Sequence, residues 1–371
     1  MEENRNITPE EYTDKNMQVV TQLAYMNFNE DMIGMSIGEI LNDEEYHEII
    51  YDGFMKKFKG VTAEENPYEY IRMKESQKLL EDLKTDPLYS NWKIVDVKDL
   101  NKEYGFYGLT IETDSNSAIV GFRGSESIDL NQFMKDWFIA DFGLVNSVST
   151  KQQACAREYM QEVYDMFNYL DYVTSGHSLG GNLAEHALLT APEGMNVVKG
   201  YSFDGPGNSD EYLQIHDDQI AARGDRLIHY QWSPIGGLLN RLPNENYKFV
   251  DVNIEDKYGV EVNEDDWGSY FQRHDTCFVN LDDGFVKESE KEGFIGFVED
   301  ALSELSVKLD SADSAIAAVV MQTPLSNLIV SAGAVYRYQR TAENAGVDAA
   351  NEELVTWAGG ILGADVGFGV G

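Results

Sequence analysis

Ser178 is the residue whose neighbours point most directly to chemistry. It stands in Gly176-His177-Ser178-Leu179-Gly180, a GxSxG pattern, with Gly181 next in line. The pattern carries weight only where a strand runs into it and a helix leaves it. Residues 172–175 supply a β-rich run, and residues 179–190 supply an alanine- and leucine-rich helix stopped by Pro192. Glycines two residues to either side remove side chains that would collide in so tight a turn. The helix N-terminus sets partial positive charge beside the serine oxygen. Ser178 therefore reads as a nucleophile rather than as an exposed serine at a glycine-rich helix start.

A serine hydroxyl is a weak nucleophile at neutral pH and needs a base. The chain has six histidines: His47, His177, His186, His216, His229 and His274. His47 precedes the strand-rich region, His177 lies inside the turn with its ring aimed away from the reacting carbon, and His186 sits on the following helix. The base of such a site follows the last strands, downstream of both nucleophile and acid, and this selects His274. His229 is the second choice; it falls within a strand-like run, where burial is its expected fate. The oxyanion of an acyl-transfer intermediate needs two donors. The backbone N–H of Leu179 is one, and Ser125, closing the run Ile119-Val120-Gly121-Phe122-Arg123-Gly124-Ser125, is the other. This chemistry requires neither a metal nor an organic cofactor.

The elements that must position these residues follow from periodicity. Residues 1–90 read as helices, with apolar positions at helical spacing in Val19, Val20, Leu23 and again in Ile71, Leu79, Leu80 and Leu83. Short β-rich runs follow at 92–97, 105–112 and 118–122, then a helix over 152–169, and further strands at 197–203, 226–232 and 247–252. Strands alternating with helices predict an α/β fold with a mostly parallel sheet covered on both faces. Beyond about residue 285 the texture is helical again, with an amphipathic stretch at 294–309 and a glycine-rich end. Residues 314–336 carry no charge, but Gln322, Thr323, Pro324, Ser326 and Asn327 interrupt them, so buried or partner-binding helices are expected rather than a bilayer span. The expected organisation is a helical N-terminal segment at 1–90, an α/β core at 91–285, and a helical, glycine-rich C-terminal appendage at 286–371.

A formal net charge of −37 argues against nucleic acid, whose phosphates require Lys and Arg, and against an anionic membrane surface. Neutral or zwitterionic substrates fit that charge better. Cys155 and Cys277 lie far apart without CxxC spacing, so two free thiols are expected, neither disulfide nor metal ligands. The first residues, MEENRNITPEEYTDKN, lack the basic start and apolar stretch of a secretory signal. The expected location is the cytoplasm, or outside the cell by a route that needs no cleaved signal.

With GHSLGG and GFRGSES both placed, residues 90–280 resemble the class 3, fungal-type triacylglycerol lipases, which are α/β-hydrolases. Asp136-Trp137 and Asp141 match a tryptophan and aspartate that follow the FRG strand in that family, and residues 127–142 correspond to its lid. Phe203-Asp204-Gly205-Pro206-Gly207 and the turn Ser233-Pro234-Ile235-Gly236 are similar to a bacterial branch, and the helical ends are similar to lipase toxins exported by type VII secretion. The resemblance implies a lipase or phospholipase A-like esterase acting on a lipid or small ester, with membrane contact at the substrate interface and a helical secretion or immunity partner. One departure stands out. The family places its triad aspartate about where this chain has Ser233. Three alternatives follow: the acid is Asp204, the first choice because it ends the strand after the nucleophile helix; it is Asp251; or the site is a Ser–His dyad. A scaffold retained for binding alone, or for an exported effector, is the alternative to an enzyme.

Overall fold

The computed structural model describes residues 12–113, 116–124, 150–233, 235–237, 239–250, 252, 257–260, 262 and 273–279. The chain divides into two compact units, one of Met1–Ile128 with Ala140–Glu290 and one of Asp129–Ile139 with Lys291–Gly371; every described residue belongs to the first. Ser125, the proposed lid, Asp251, the amphipathic stretch at 294–309 and the uncharged run at 314–336 lie outside the described residues. Among the described residues, no helix is long and apolar enough to cross a membrane.

Polar residues start each helix where the sequence changes from extended to periodic. In α1 (Asp14–Leu23), Thr13 accepts the N–H of Asn16 at 3.2 Å. In α2 (Ile37–Asn42), Ser36 and Glu39 form a reciprocal capping box. For α3 (Pro67–Thr85), Asn66 caps and Pro67 takes the first position. Among the described residues seven strands follow: β1 (Lys93–Leu100), β2 (Phe106–Glu112), β3 (Ser117–Phe122), β4 (Asp171–His177), β5 (Val197–Phe203), β6 (Leu227–Gln231) and β7 (Asn246–Phe249). Helix α4 (Lys151–Met166) joins β3 to β4, and α5 (Leu179–Thr190) joins β4 to β5. The short α6 (Asp210–Ile215) and α7 (Asp217–Arg223), which periodicity did not anticipate, lead into β6.

The strands lie side by side in sequence order, β1 to β7. β1, β2 and β3 pair antiparallel, and β3 through β7 pair parallel. The parallel part is where strand and helix alternate, because a parallel neighbour can be reached only by a long crossover. This is the α/β-hydrolase fold that the alternation predicts, with an antiparallel edge that alternation alone does not show.

Strand side chains alternate between faces, and two cores result. Ile119 and Val173 face a cluster with Val20 and Leu23 of α1 and Ile40 and Leu41 of α2. Ala118, Val120 and Tyr172 face the opposite cluster with Met160 and Val163 of α4 and Leu183 and Leu188 of α5. The N-terminal helices thus cover one face of the sheet, and α4 and α5 the other. Helix α5 is buried from Leu179 to Leu189, so a Leu→Ala change at Leu183 or Leu188 costs about 2–5 kcal/mol.

Candidate active site

The turn between β4 and α5 is as tight as its glycines suggest. Ser178 takes φ 59° and ψ −133°, in the positive-φ region that side chains avoid. Its N–H donates to the Phe203 carbonyl at 2.9 Å, and its own carbonyl accepts from Gly181 at 2.8 Å. A Cβ at Gly176 would stand 2.0 Å from the Gly180 carbonyl oxygen, and one at Gly180 would stand 2.3 Å from that of Phe122. Both obstacles are backbone, so neither position accepts a side chain. Most helices here spend a side-chain oxygen on capping, but Ser178 makes no capping bond. Its hydroxyl is left for other work, held in a strained turn that neighbouring strands enforce.

Asp204 ends β5 with φ 50° and is fully buried. Four donors converge on its carboxylate. Oδ1 accepts the N–H groups of Trp232 at 3.0 Å and Ser233 at 3.1 Å. Oδ2 accepts the Ser233 hydroxyl and, at 2.6 Å, Nδ1–H of His274. A carboxylate accepts only, so the ring proton belongs on Nδ1, and Nε2 is the basic nitrogen. Ser233 Oγ is 3.3 Å from the same Nδ1. The residue at the end of β6 is therefore a serine that braces the carboxylate reaching across from β5. A Cβ at Gly236 would press within 2.4 Å of Asp204 Oδ1, so this glycine makes room for the carboxylate.

His274 lies in a short segment held from every side. His177, the variable residue of the elbow, does not point idly away: its Nε2–H donates to the His274 carbonyl at 2.8 Å. Its ring lies 4.5 Å from the His274 ring and is parallel to Trp232 at 6.1 Å. Burial, reinforced by the neighbouring His274, pushes His177 down to about 4, so it stays neutral and keeps this hydrogen bond at ordinary pH. Trp232 Nε1–H donates to the Arg273 carbonyl at 3.0 Å. From α1, Gln18 Nε2 donates to the carbonyls of Thr276 at 2.6 Å and Val279 at 3.0 Å, and Gln22 Nε2 to the Thr276 hydroxyl at 2.9 Å. From α3, Arg72 Nε lies 3.5 Å from Asp275 Oδ2. Burial alone would raise Asp275, but the Arg72 charge and the Cys277 N–H outweigh it and hold it at about 2. The first ninety residues read from sequence only as helices; two of those helices position the imidazole segment.

The remaining histidines stand elsewhere. His47 stacks on Tyr51, His186 meets the Tyr212 hydroxyl at 2.7 Å, His216 packs against Tyr212, and His229 is buried in β6 beside Glu245. Leu179 opens α5 directly after Ser178, where the first amide groups of a helix have no partner within it. The end of β3 abuts the elbow, since a Cβ at Gly124 would fall 2.8 Å from the His177 carbonyl oxygen.

A serine on a strained strand-to-helix elbow, a buried aspartate on the next strand and a histidine beyond the last strand appear in the chain order Ser, Asp, His that α/β-hydrolases use. A family model described as Mbeg1-like matches residues 84–255, a span that takes in Ser178 and Asp204 and stops short of His274. Among solved structures, the chain is similar to a triacylglycerol lipase from Penicillium expansum, at 13% identity over 44% of this chain and 71% of that one, with a TM-score of 0.32. It is similar also to a lipase from Yarrowia lipolytica, at 15% identity over 44% and 66% with a TM-score of 0.30. A third is a member of a family of fungal lipases described for an unusual buried polar cluster, at 15% identity over 73% and 97% with a TM-score of 0.37. No curated protein matches the chain.

Proposed function

We propose that this chain is a serine hydrolase of carboxylic esters, of the lipase or phospholipase A type. The observation that supports it best is the 2.6 Å bond from His274 Nδ1 to the buried Asp204 carboxylate, in a segment anchored beside the Ser178 elbow. Ser178 Oγ attacks the acyl carbon as its proton passes to His274 Nε2. The Leu179 N–H and Ser125 stabilise the oxyanion. Collapse breaks the ester bond, and the leaving alcohol takes the proton from His274. Water, deprotonated by the same nitrogen, then releases the carboxylic acid. With Asp204 as the acid, neither Asp251 nor a dyad is needed, and a scaffold kept for binding alone loses its motive.

The substrate on this reading is a neutral or zwitterionic lipid or small ester met at a membrane interface, in keeping with the net charge of −37. The affinity to the bacterial FDGPG branch and to type VII-exported lipases belongs to the same proposal, with residues 286–371 serving a secretion or immunity partner. The test is hydrolysis of a panel of short- and long-chain esters and phospholipids by the intact chain. Turnover that falls to background in Ser178→Ala supports the reading; turnover equal in both proteins overturns it.

A further inference from the structure

Away from the elbow, three chemistry-bearing side chains meet in the dry layer between α5 and the sheet. Glu185 projects from α5, two helical turns beyond Ser178; His229 lies in the middle of β6; Glu245 immediately precedes β7. One ligand atom from each lies within 4.8 Å of the others. The His229 side chain is 0% and that of Glu245 2% exposed, with His229 Nδ1 3.2 Å from Glu245 Oε1; Glu185 is equally buried.

What marks this cluster is how its donors and acceptors are used. Each carboxylate has one oxygen tied down and one left over. Glu185 Oε1 accepts from Asn208 Nδ2, and Glu245 Oε2 accepts the Leu242 N–H at 3.0 Å. Glu185 Oε2, Glu245 Oε1 and both ring nitrogens of His229 have no hydrogen bond of good geometry. Buried polar atoms are almost always satisfied, and here a ligand atom from each of the three residues lies within 4.8 Å of the others. The outer shell is built as well. Asn208 Oδ1 accepts from Asn182 Nδ2 at 3.1 Å, and Asn182 Oδ1 accepts from Gln153 Nε2 at 2.9 Å. Such second partners orient ligands around a metal. Two carboxylates this close and this buried also repel unless one of them takes up a proton or a cation lies between them.

We infer that Glu185, His229 and Glu245 bind one divalent transition-metal ion of the zinc or manganese type, which fastens the helix that begins at Ser178 to β6 and β7. One imidazole and two carboxylates suit such an ion better than calcium, which takes oxygen alone, or thiolate-selected metals. Two carboxylate charges balance a dication, so the buried site becomes neutral. Seven residues of helix separate Glu185 from Ser178, about 10 Å at the helical rise, so the ion is structural rather than a participant in acyl transfer. No sequence motif announces it, because its ligands come from three separate elements.

The test uses the intact, tag-free chain, stripped with a chelator and titrated separately with Zn2+, Mn2+ and Ca2+ by calorimetry and thermal melting. Zn2+ or Mn2+ is expected to bind at one per chain and raise the melting temperature. Glu185→Gln, His229→Gln and Glu245→Gln should each weaken that binding at least tenfold. X-ray absorption on the zinc-loaded wild-type chain, which needs no variant to fold, should show an oxygen and nitrogen shell containing one imidazole. Absence of stoichiometric uptake overturns the inference and leaves a shared proton as what holds the two carboxylates together. Preference for Ca2+, a sulfur ligand, or uptake unchanged in folded variants also overturns it.

Discussion

The unusual residue of this site is Ser233, because it stands where a triad carboxylate is expected. Its hydroxyl and N–H both donate to Asp204, and its oxygen lies 3.3 Å from the nitrogen that Asp204 holds. On the proposed reading, the acid has moved by one strand while the imidazole keeps its partner. Asp204→Asn removes the acceptor that fixes the tautomer, and kcat is expected to fall by about 10³–10⁴. Ser233→Ala removes one donor of the four on Asp204 and should cost only about tenfold, a loss of roughly 1.4 kcal/mol. Steady-state kinetics on one ester separates the two; equal losses would mean that Ser233 does more than brace. That Asp204 would stand at this edge of the sheet was legible in the sequence. The bracing was not, since Asp204 and Ser233 meet only once β5 and β6 are paired. The bond made by His177 was hidden for the same reason: spacing shows where its backbone lies but not that a carbonyl from residue 274 awaits its ring.

At the scale of elements, the elbow was the most legible part, because strand, glycines and helix are contiguous in the chain. The antiparallel edge was less so, since alternation of apolar residues gives faces and not directions. Least legible was α1. Its bonds to the His274 segment span separations of 258 and 261 residues, and amphipathic spacing alone could not tell a packing helix from a clamp. Gln18→Leu leaves the Thr276 and Val279 carbonyls without that donor. It should destabilise the chain by about 1–3 kcal/mol in denaturant unfolding and lower kcat with little change in KM, because the imidazole is displaced rather than the substrate site. A stability loss with kcat intact would show that the clamp holds the fold without tuning the site.

The molecule as a whole hides several titratable groups, and its stability must follow pH accordingly. Burial, aided by the neighbouring histidine, pushes His177 to about 4 and His186 to about 3, both below the ordinary histidine range. The unfolded chain therefore takes up protons first as pH falls below about 6.5. The stability that these two rings contribute is fully present above that value and drains away down to about pH 3–4, by up to roughly 1.4 kcal/mol per pH unit for each group. Asp275, held at about 2 against its burial by Arg72, gives up its contribution only lower, between its ordinary value and 2. Denaturant unfolding from pH 7 to 4 should show this decline, and His186→Gln should make it shallower; a flat profile would mean that these rings are hydrated. The net charge of −37 acts over the whole surface too, and it disfavours anionic lipid as substrate.

Everything proposed for this site requires that one hydroxyl be made reactive by the Asp204–His274 pair. The most direct measurement is the rate and site of modification by a fluorophosphonate, read by peptide mapping of the intact protein and of Asp204→Asn. A single adduct on Ser178 is expected, formed at least a hundredfold more slowly once the carboxylate is gone. An adduct on another residue, or an undiminished rate in Asp204→Asn, would contradict it.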